Sequence, residues 1–146
     1  MRAIVMAETG GPEVLALGEV PRPPIAADEV LIRVAATSVN RADVAQRQGT
    51  YPPPPGESEI LGLEAAGLVA EVGAEVEGWR PGDRVMTLVG GGGYAEYVKA
   101  PASTLLAVPE RFDLVTAAAL PEVFITAYLN IFREATLRDR KSTRLN

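Results

Sequence analysis

The sequence predicts a β-rich fold of the α+β class, with helices at its C-terminal end. Short apolar runs alternate with turn residues at intervals of about 8–12 residues, as in small barrels and sandwiches. The 146 residues include 14 glycines and 12 prolines, which favour turns over long helices. A helical pattern of apolar residues becomes dominant only after residue 113. With 47% hydrophobic residues, the chain is long enough to form one buried core.

Three strands are predicted in the first 34 residues. Residues 2–6 form an apolar run, residues 9–12 (TGGP) a turn, and residues 14–20 a returning strand, which together predict a hairpin. The prolines within residues 21–24 prevent regular pairing. Residues 28–34 have apolar side chains at alternate positions, which predicts a strand with one buried face.

A short helix is predicted to begin at Asn40 and to end at Gly49. Asparagine is a favourable N-cap, the carboxylate of Asp43 suits the positive end of a helix, and glycine favours helix termination. Residues 51–56 (YPPPPG) are predicted to form an extended loop, because four consecutive prolines lack backbone donors.

The remaining strands are predicted at residues 67–72, 84–89 and 94–98. A turn at Pro81 and Gly82 precedes the second of these strands, and the four glycines at 90–93 precede the third. Seven or so short strands in this arrangement are typical of a small barrel or sandwich.

Two helical pieces, residues 117–120 and 123–132, are predicted on either side of Pro121. The last eight residues, 139–146 (DRKSTRLN), match the translation of a common sequencing-library adapter. We therefore expect this segment to be an assembly artefact and exclude it from the fold prediction.

The composition excludes several function classes. The chain has no cysteine and no histidine, so disulfides, thiolate or imidazole zinc sites and a Ser-His pair are all excluded within it. Its net charge is −5, and no basic cluster is interleaved with aromatic residues, which disfavours nucleic acid and anionic membranes as partners. The N-terminus lacks a secretory signal pattern and no apolar run could span a bilayer, so a cytoplasmic protein is expected.

Seven motifs occur in a fixed order along the chain: SVNRAD (38–43), QRQG (46–49), YPPPPG (51–56), LGLEAAG (61–67), PGDRV (81–85), GGGYAEYV (91–98) and AAALPE (117–122). Together they resemble the zeta-crystallin-type quinone oxidoreductases of the medium-chain dehydrogenase/reductase superfamily, and among them the stress-inducible animal enzymes and their bacterial relatives. Each motif is weak alone, but their order and spacing are specific, and the resemblance extends over nearly all of residues 1–138.

The resemblance implies a chaperonin-10-like (GroES-like) barrel over residues 1–112 and a helical connection over 113–138. A Rossmann domain, whose glycine-rich turn is absent here, would then follow. The parent enzyme, implied to be a homodimer, would transfer hydride from NADPH to a quinone. We expect the chain by itself to be inactive. Zinc alcohol dehydrogenases have Gly-His-Glu where this chain has Gly62-Leu63-Glu64, and leucine cannot bind zinc, so the resemblance is to a zinc-free branch.

The resemblance also suggests five site residues, and each has an alternative structural role. Asn40 would contact the nicotinamide or substrate, but it also suits a helix N-cap. Tyr51 would position or protonate a quinone oxygen, or it simply packs on prolines. Thr126 would touch the nicotinamide half of the cofactor, or its hydroxyl bonds its own helix. Glu64 and Gly92 are candidates for the substrate cleft, with a structural ion pair and a flexible connector as their alternatives.

Two other functions remain open from the sequence. Reduction of an activated C=C bond in enones or enoyl thioesters would also give a stabilised oxyanion. A non-catalytic GroES-like structural or interaction barrel is a further alternative, although the rigid YPPPPG segment lies where a co-chaperonin would need a mobile apolar loop.

Overall fold

Seven strands and three α-helices are found in residues 1–137, the part of the chain that the computed structural model describes. The strands are β1 (Arg2–Met6), β2 (Leu15–Glu19), β3 (Glu29–Ala36), β4 (Glu64–Val72), β5 (Arg84–Leu88), β6 (Tyr97–Pro101) and β7 (Leu106–Ala107). The helices are α1 (Arg41–Arg47), α2 (Leu114–Ala117) and α3 (Pro121–Tyr128), and a π-helical segment, Leu129–Glu134, follows α3. The segment predicted to be an adapter artefact, residues 139–146, lies outside the described residues.

The strands form two antiparallel sheets. Strands β1 and β2 make the predicted hairpin, and the other five form a sheet in the order β6-β3-β4-β5-β7. Strand β4 lies at the centre of this sheet, between β3 and β5. The prediction of a β-rich fold with C-terminal helices is confirmed.

The core lies on both faces of β4. Ala65 packs in a cluster with residues such as Ile32 and Val85, whereas its neighbour Ala66 packs with Val108 and Ala117 at the start of the helical region. Because successive side chains of a strand point to opposite faces, one small-residue strand supports both layers. Because β4 is packed on both faces and paired on both edges, the residue at its beginning, Glu64, has a fixed position.

The predicted helix at residue 40 is confirmed. Asn40 is the N-cap of α1, and the Asp43 carboxylate accepts from the Asn40 backbone N–H at 2.7 Å, as in a capping box. Gly49 has φ +79°, the left-handed conformation in which glycine ends helices. The YPPPPG segment contains no helix or strand, as predicted.

Three elements begin three residues away from their predicted start. The strand placed at 94–98 begins only at Tyr97, because the Gly93 and Tyr94 amides donate to carbonyls in the 61–62 turn instead of to a strand. The strand placed at 67–72 begins earlier, at Glu64. The helix placed at 117–120 is α2, which starts at Leu114 because the Asp113 side chain caps it by accepting from the Thr116 amide at 2.6 Å.

Within residues 1–137, no helix has both the length and the apolar character needed to cross a membrane.

Candidate functional site between α1 and α3

A tight turn before β4 places Glu64 beneath α1. Gly62 has φ +103°, and a Cβ at this position would lie 2.6 Å from the backbone nitrogen of Tyr94, so only glycine fits. The Gly62 amide donates to Asp43 Oδ1 at 3.2 Å, which ties the turn to the first turn of α1. Two residues later, the Glu64 side chain enters the space between the β3–α1 loop and α3.

The Glu64 carboxylate is buried, with 1% of the residue exposed, and it is held by three donors. Its Oε1 accepts from Ser38 Oγ at 2.6 Å and from Asn40 Nδ2 at 2.8 Å. Its Oε2 accepts from the backbone N–H of Glu122 at 2.9 Å. None of the ion pairs within residues 1–137 involves Glu64. If Glu64 has a structural role instead of a substrate role, that role is to accept hydrogen bonds from neighbouring segments and not to form an ion pair.

Ser38 connects this carboxylate to the end of α2. Its hydroxyl lies 2.6 Å from Glu64 Oε1 and 2.7 Å from the carbonyl oxygen of Ala118. A serine hydroxyl has one hydrogen, so it donates to only one of these oxygens at a time. The neighbouring Thr37 hydroxyl donates to the backbone carbonyl of Glu64 at 2.6 Å, which fixes the same loop against β4.

A cleft of about 620 Å³ lies between α1 and α3, and we call it the α1–α3 cleft. Its lining from the α1 side is Asn40, Arg41, Ala42 and Ala45, and from the α3 side Glu122, Val123, Thr126 and Ala127. Asn40 and Thr126 thus lie on opposite walls. The Thr126 hydroxyl makes no hydrogen bond to any of the described residues, so it is available to a ligand.

A second buried carboxylate, Asp43, supports the α1 wall. It is 2% exposed and accepts from the amides of Asn40 and Gly62 and from the Tyr94 hydroxyl, the last at 3.1 Å. Burial of the Tyr94 phenol, followed by the nearby Asp43 charge, raises the pKa of Tyr94 well above its usual range. Tyr94 is therefore a neutral hydrogen-bond donor.

The predicted site residues fall into three places. Asn40, Thr126 and Glu64 come together at the α1–α3 cleft, with Glu64 behind the wall and not on it. Tyr51 is 48% exposed and is not among the residues that line this cleft. Gly92 has φ +95° and lines a different cavity of about 250 Å³, together with Met1 and Tyr97.

Two groups that hold the site together were not predicted from the sequence. Ser38 lies in the SVNRAD motif, but nothing in the sequence indicated a contact with a carboxylate 26 residues away. The backbone amide of Glu122 follows a proline, which starts a helix and leaves that amide without a partner inside the helix. That pattern indicates an unsatisfied donor but does not identify its acceptor.

The antiparallel sheets with short helices at their edge are compatible with a GroES-like domain. The sequence matches the family described as "Alcohol dehydrogenase GroES-like domain" over residues 26–110, and the chain belongs to this family. The predicted GroES-like barrel and the resemblance to quinone oxidoreductases are confirmed by the family match and by the relatives described next.

Curated relatives align along almost the whole chain. Quinone oxidoreductase from Lama guanicoe is 40% identical over 144 residues, covering 97% of this chain and 44% of the relative. Synaptic vesicle membrane protein VAT-1 homolog-like from Mus musculus is 37% identical over 142 residues, covering 97% of this chain and 34% of the relative. The chain thus spans less than half the length of these relatives.

Solved structures share the fold. The human VAT-1 homolog-like protein superposes with a TM-score of 0.88 at 37% identity, covering 95% of this chain and 45% of that one. The Escherichia coli quinone oxidoreductase complexed with NADPH has a TM-score of 0.82 at 31% identity, covering 92% and 41%. The CurK enoyl reductase has a TM-score of 0.85 at 27% identity, covering 94% and 44%.

Proposed function

We propose that this chain is the GroES-like catalytic part of a zinc-independent oxidoreductase that transfers hydride from NADPH to a quinone. The α1–α3 cleft is the observation that carries the proposal, because Asn40 and Thr126 lie on its facing walls and the Asn40 amide is held from behind by Glu64. The similarity to quinone oxidoreductases over 97% of the chain supports the same reaction class.

The residues of the cleft fit a nicotinamide ring. Three of them are alanines, which leave room for a flat group between the helices. The amide of Asn40 and the hydroxyl of Thr126 offer both donors and acceptors, which a carboxamide needs for orientation. When bound, NADPH would supply the hydride. Its phosphates would be held outside this chain, which has no glycine-rich phosphate-binding turn.

The acceptor is proposed to be a quinone on the basis of the residue at position 63. Leu63 stands where zinc alcohol dehydrogenases have a ligand, and leucine offers no donor atom. A quinone needs less activation, since its carbonyls are conjugated and the anion formed by hydride addition is delocalised. Asn40, on the cleft wall, is the proposed group for orienting the acceptor. Tyr51, whose exposed phenol is not part of the cleft lining, is the proposed proton donor to the acceptor oxygen, a role that requires the bound acceptor to extend beyond the cleft.

The remainder of the enzyme is proposed to pack on the exposed apolar face formed by α3 and the π-helical segment. Phe124 and Phe132 are 65% and 51% exposed, and Val123, Tyr128, Leu129 and Ile131 are exposed beside them. Contiguous apolar surface of this kind marks an interaction site. Since the chain spans 44% of a quinone oxidoreductase, a nucleotide-binding domain is the proposed occupant.

We also propose that the parent enzyme is a cytoplasmic homodimer whose partners are small molecules. The net charge of −5 disfavours nucleic acid and anionic membranes as binding partners.

A second candidate function is reduction of an activated C=C bond in an enone or enoyl thioester. The similarity to the CurK enoyl reductase, with a TM-score of 0.85, favours it. Hydride addition to such an acceptor also produces a delocalised oxyanion, so the same polar groups would serve both reactions.

The test begins with the genomic DNA downstream of the Arg138 codon, followed by expression of the completed protein. NADPH absorbance is then followed with a panel of quinones and a panel of enones. Faster oxidation with quinones supports the first proposal, and faster oxidation with enones supports the second.

Asn40→Ala and Thr126→Val are expected to lower kcat/KM by about 10- to 100-fold. Glu71→Gln, a surface change on β4, is the control. No loss of NADPH with any acceptor would refute both proposals.

A further inference from the structure

Glu64 contacts both walls of the α1–α3 cleft without lining it. One of its oxygens accepts from the Asn40 side chain on the α1 side, and the other accepts from the Glu122 amide at the start of α3. With the residue only 1% exposed, a ligand in the cleft would not reach this carboxylate. Direct contact between Glu64 and a ligand is therefore excluded, and the groups that Glu64 holds are the route by which it positions one.

The first of these groups is the Asn40 amide. Because Asn40 Nδ2 donates to Glu64 Oε1 at 2.8 Å, the reversed amide would bring two oxygens together. The Asn40 backbone is fixed independently by its N–H bond to Asp43 at 2.7 Å. Glu64 thus determines the orientation of the Asn40 side-chain amide, while Asp43 holds the Asn40 backbone in place.

The second group is the N-terminus of the helix that carries Thr126. The N-cap residue of α3, Leu120, has no side chain able to accept from the first amides of the helix. The Glu64 carboxylate, 58 positions earlier, accepts from the Glu122 amide instead. A carboxylate at this end of a helix is also favoured by the helix dipole.

We propose that Glu64 is a positioning residue for the α1–α3 cleft. It fixes the orientation of the Asn40 amide and the position of the start of α3, so that Asn40 and Thr126 contact the same ligand. The ligand in question is that of the proposed function, so this part of the inference rests on it. The positioning itself depends only on the contacts of Glu64.

Two substitutions separate the two effects. In Glu64→Gln, the carboxamide oxygen still accepts from the Glu122 amide, and its NH2 group faces Ser38 and Asn40. Ser38 then accepts while donating to Ala118, whose carbonyl lies 2.7 Å away, and the Asn40 amide must reverse. Glu64→Met fills a similar volume but accepts from neither wall, so the Asn40 and Glu122 donors lose their acceptor. Circular dichroism and urea unfolding first establish that this variant is folded under the conditions of the exchange measurement.

The first measurements do not require catalytic activity. In the 146-residue chain, Glu64→Gln is expected to shift the Asn40 side-chain amide resonances and to leave hydrogen exchange of the Glu122 amide slow. Glu64→Met is expected to speed that exchange by about tenfold. Glu71→Gln, the same change on the exposed part of β4, should alter neither. Unchanged Asn40 resonances in Glu64→Gln, or unchanged Glu122 exchange in Glu64→Met, overturn the proposal whatever the enzyme's reaction is.

A double-mutant cycle in the completed enzyme separates positioning from a general structural role. Glu64→Gln is expected to lower kcat/KM by about tenfold or more in the wild-type background and to have little further effect in Asn40→Ala. An equal loss in both backgrounds means that Glu64 does not act through Asn40 and contradicts the inference. If the completed protein has no NADPH oxidation, the proposed function fails, and the resonance and exchange measurements alone decide the role of Glu64.

Discussion

The Tyr94 hydroxyl donates to the Asp43 carboxylate at an oxygen–oxygen distance of 3.1 Å, linking the turn before β6 to the first turn of α1. Asp43 has no cation among its hydrogen-bond partners in residues 1–137, so two backbone amides and one phenol satisfy it. The phenol must stay protonated to serve as a donor. This contact therefore makes the stability of the α1 wall sensitive to alkaline pH.

The alkaline dependence of stability should be reduced in Tyr94→Phe. Burial and the Asp43 charge raise the pKa of Tyr94 in the folded protein above the unfolded value of about 10. The stabilising contribution is thus complete below about pH 10 and is lost as the pH rises through the folded-state pKa. Tyr94→Phe should be less stable than wild type near neutrality, and the difference should narrow above about pH 10.

Urea denaturation across this pH range measures the effect, with Tyr128→Phe, at an exposed tyrosine, as the control for loss of one phenol. A difference between Tyr94→Phe and wild type that stays constant with pH would mean that the phenol does not titrate differently in the two states.

Substitution of Gly62 should be more costly than substitution of another glycine with a similar backbone. Gly62 and Gly78 both have positive φ, +103° and +81°. A Cβ at Gly78 meets no atom within 4 Å, whereas one at Gly62 lies 2.6 Å from the Tyr94 backbone nitrogen. Gly78→Ala should cost about 1–2 kcal/mol of unfolding free energy from backbone strain alone. Gly62→Ala should cost at least about 1 kcal/mol more because of overpacking.

Denaturant unfolding of the two variants side by side measures this difference. Equal destabilisation would show that the turn before β4 relaxes readily, and that the placement of Glu64 does not depend on Gly62.

Local sequence patterns predicted the elements of this fold but not the contacts that build the site. The helix at Asn40 was predicted because its cap and its glycine stop are local features. The start of the strand predicted at 94–98 was misplaced because the Gly93 and Tyr94 amides bond to carbonyls of the 61–62 turn, more than 30 positions earlier in the chain. The partners of Glu64 were likewise unpredictable, since the Glu122 amide lies 58 positions away and carries no side-chain signature. Burial of a polar residue can be expected from its apolar neighbours, but the donors that satisfy it depend on tertiary structure.

Replacing Gln46 by methionine should stabilise the chain. Gln46 is 3% exposed on α1, and neither its Nε2 nor its Oε1 has a hydrogen-bond partner among the described residues. A buried polar group without a partner costs about 1–3 kcal/mol. Methionine has a similar length and no such requirement, so Gln46→Met should raise the unfolding free energy by about 1 kcal/mol.

Gln48→Met, at the exposed C-cap of the same helix, is the matched control and should change stability by less than about 0.5 kcal/mol. A destabilised Gln46→Met would indicate that the Gln46 amide has a partner after all, such as a buried water.

The apolar face of α3 should make the chain bind hydrophobic dyes when it is expressed alone. Phe124 and Phe132 are more than half exposed, and the neighbouring apolar side chains extend the surface. Phe124→Ser with Phe132→Ser should lower fluorescence of a bound naphthalene sulfonate dye and reduce concentration-dependent association, because the surface is no longer contiguous. Leu17→Ser, at an exposed leucine on β2, is the control and should have little effect.

In the completed enzyme, Phe124 and Phe132 should be covered by the packed domain, so dye binding by the wild-type protein should be lower than for the chain alone. Strong dye binding that persists in the completed enzyme would argue that α3 faces solvent there, and that the α1–α3 cleft is not closed by the remainder of the protein.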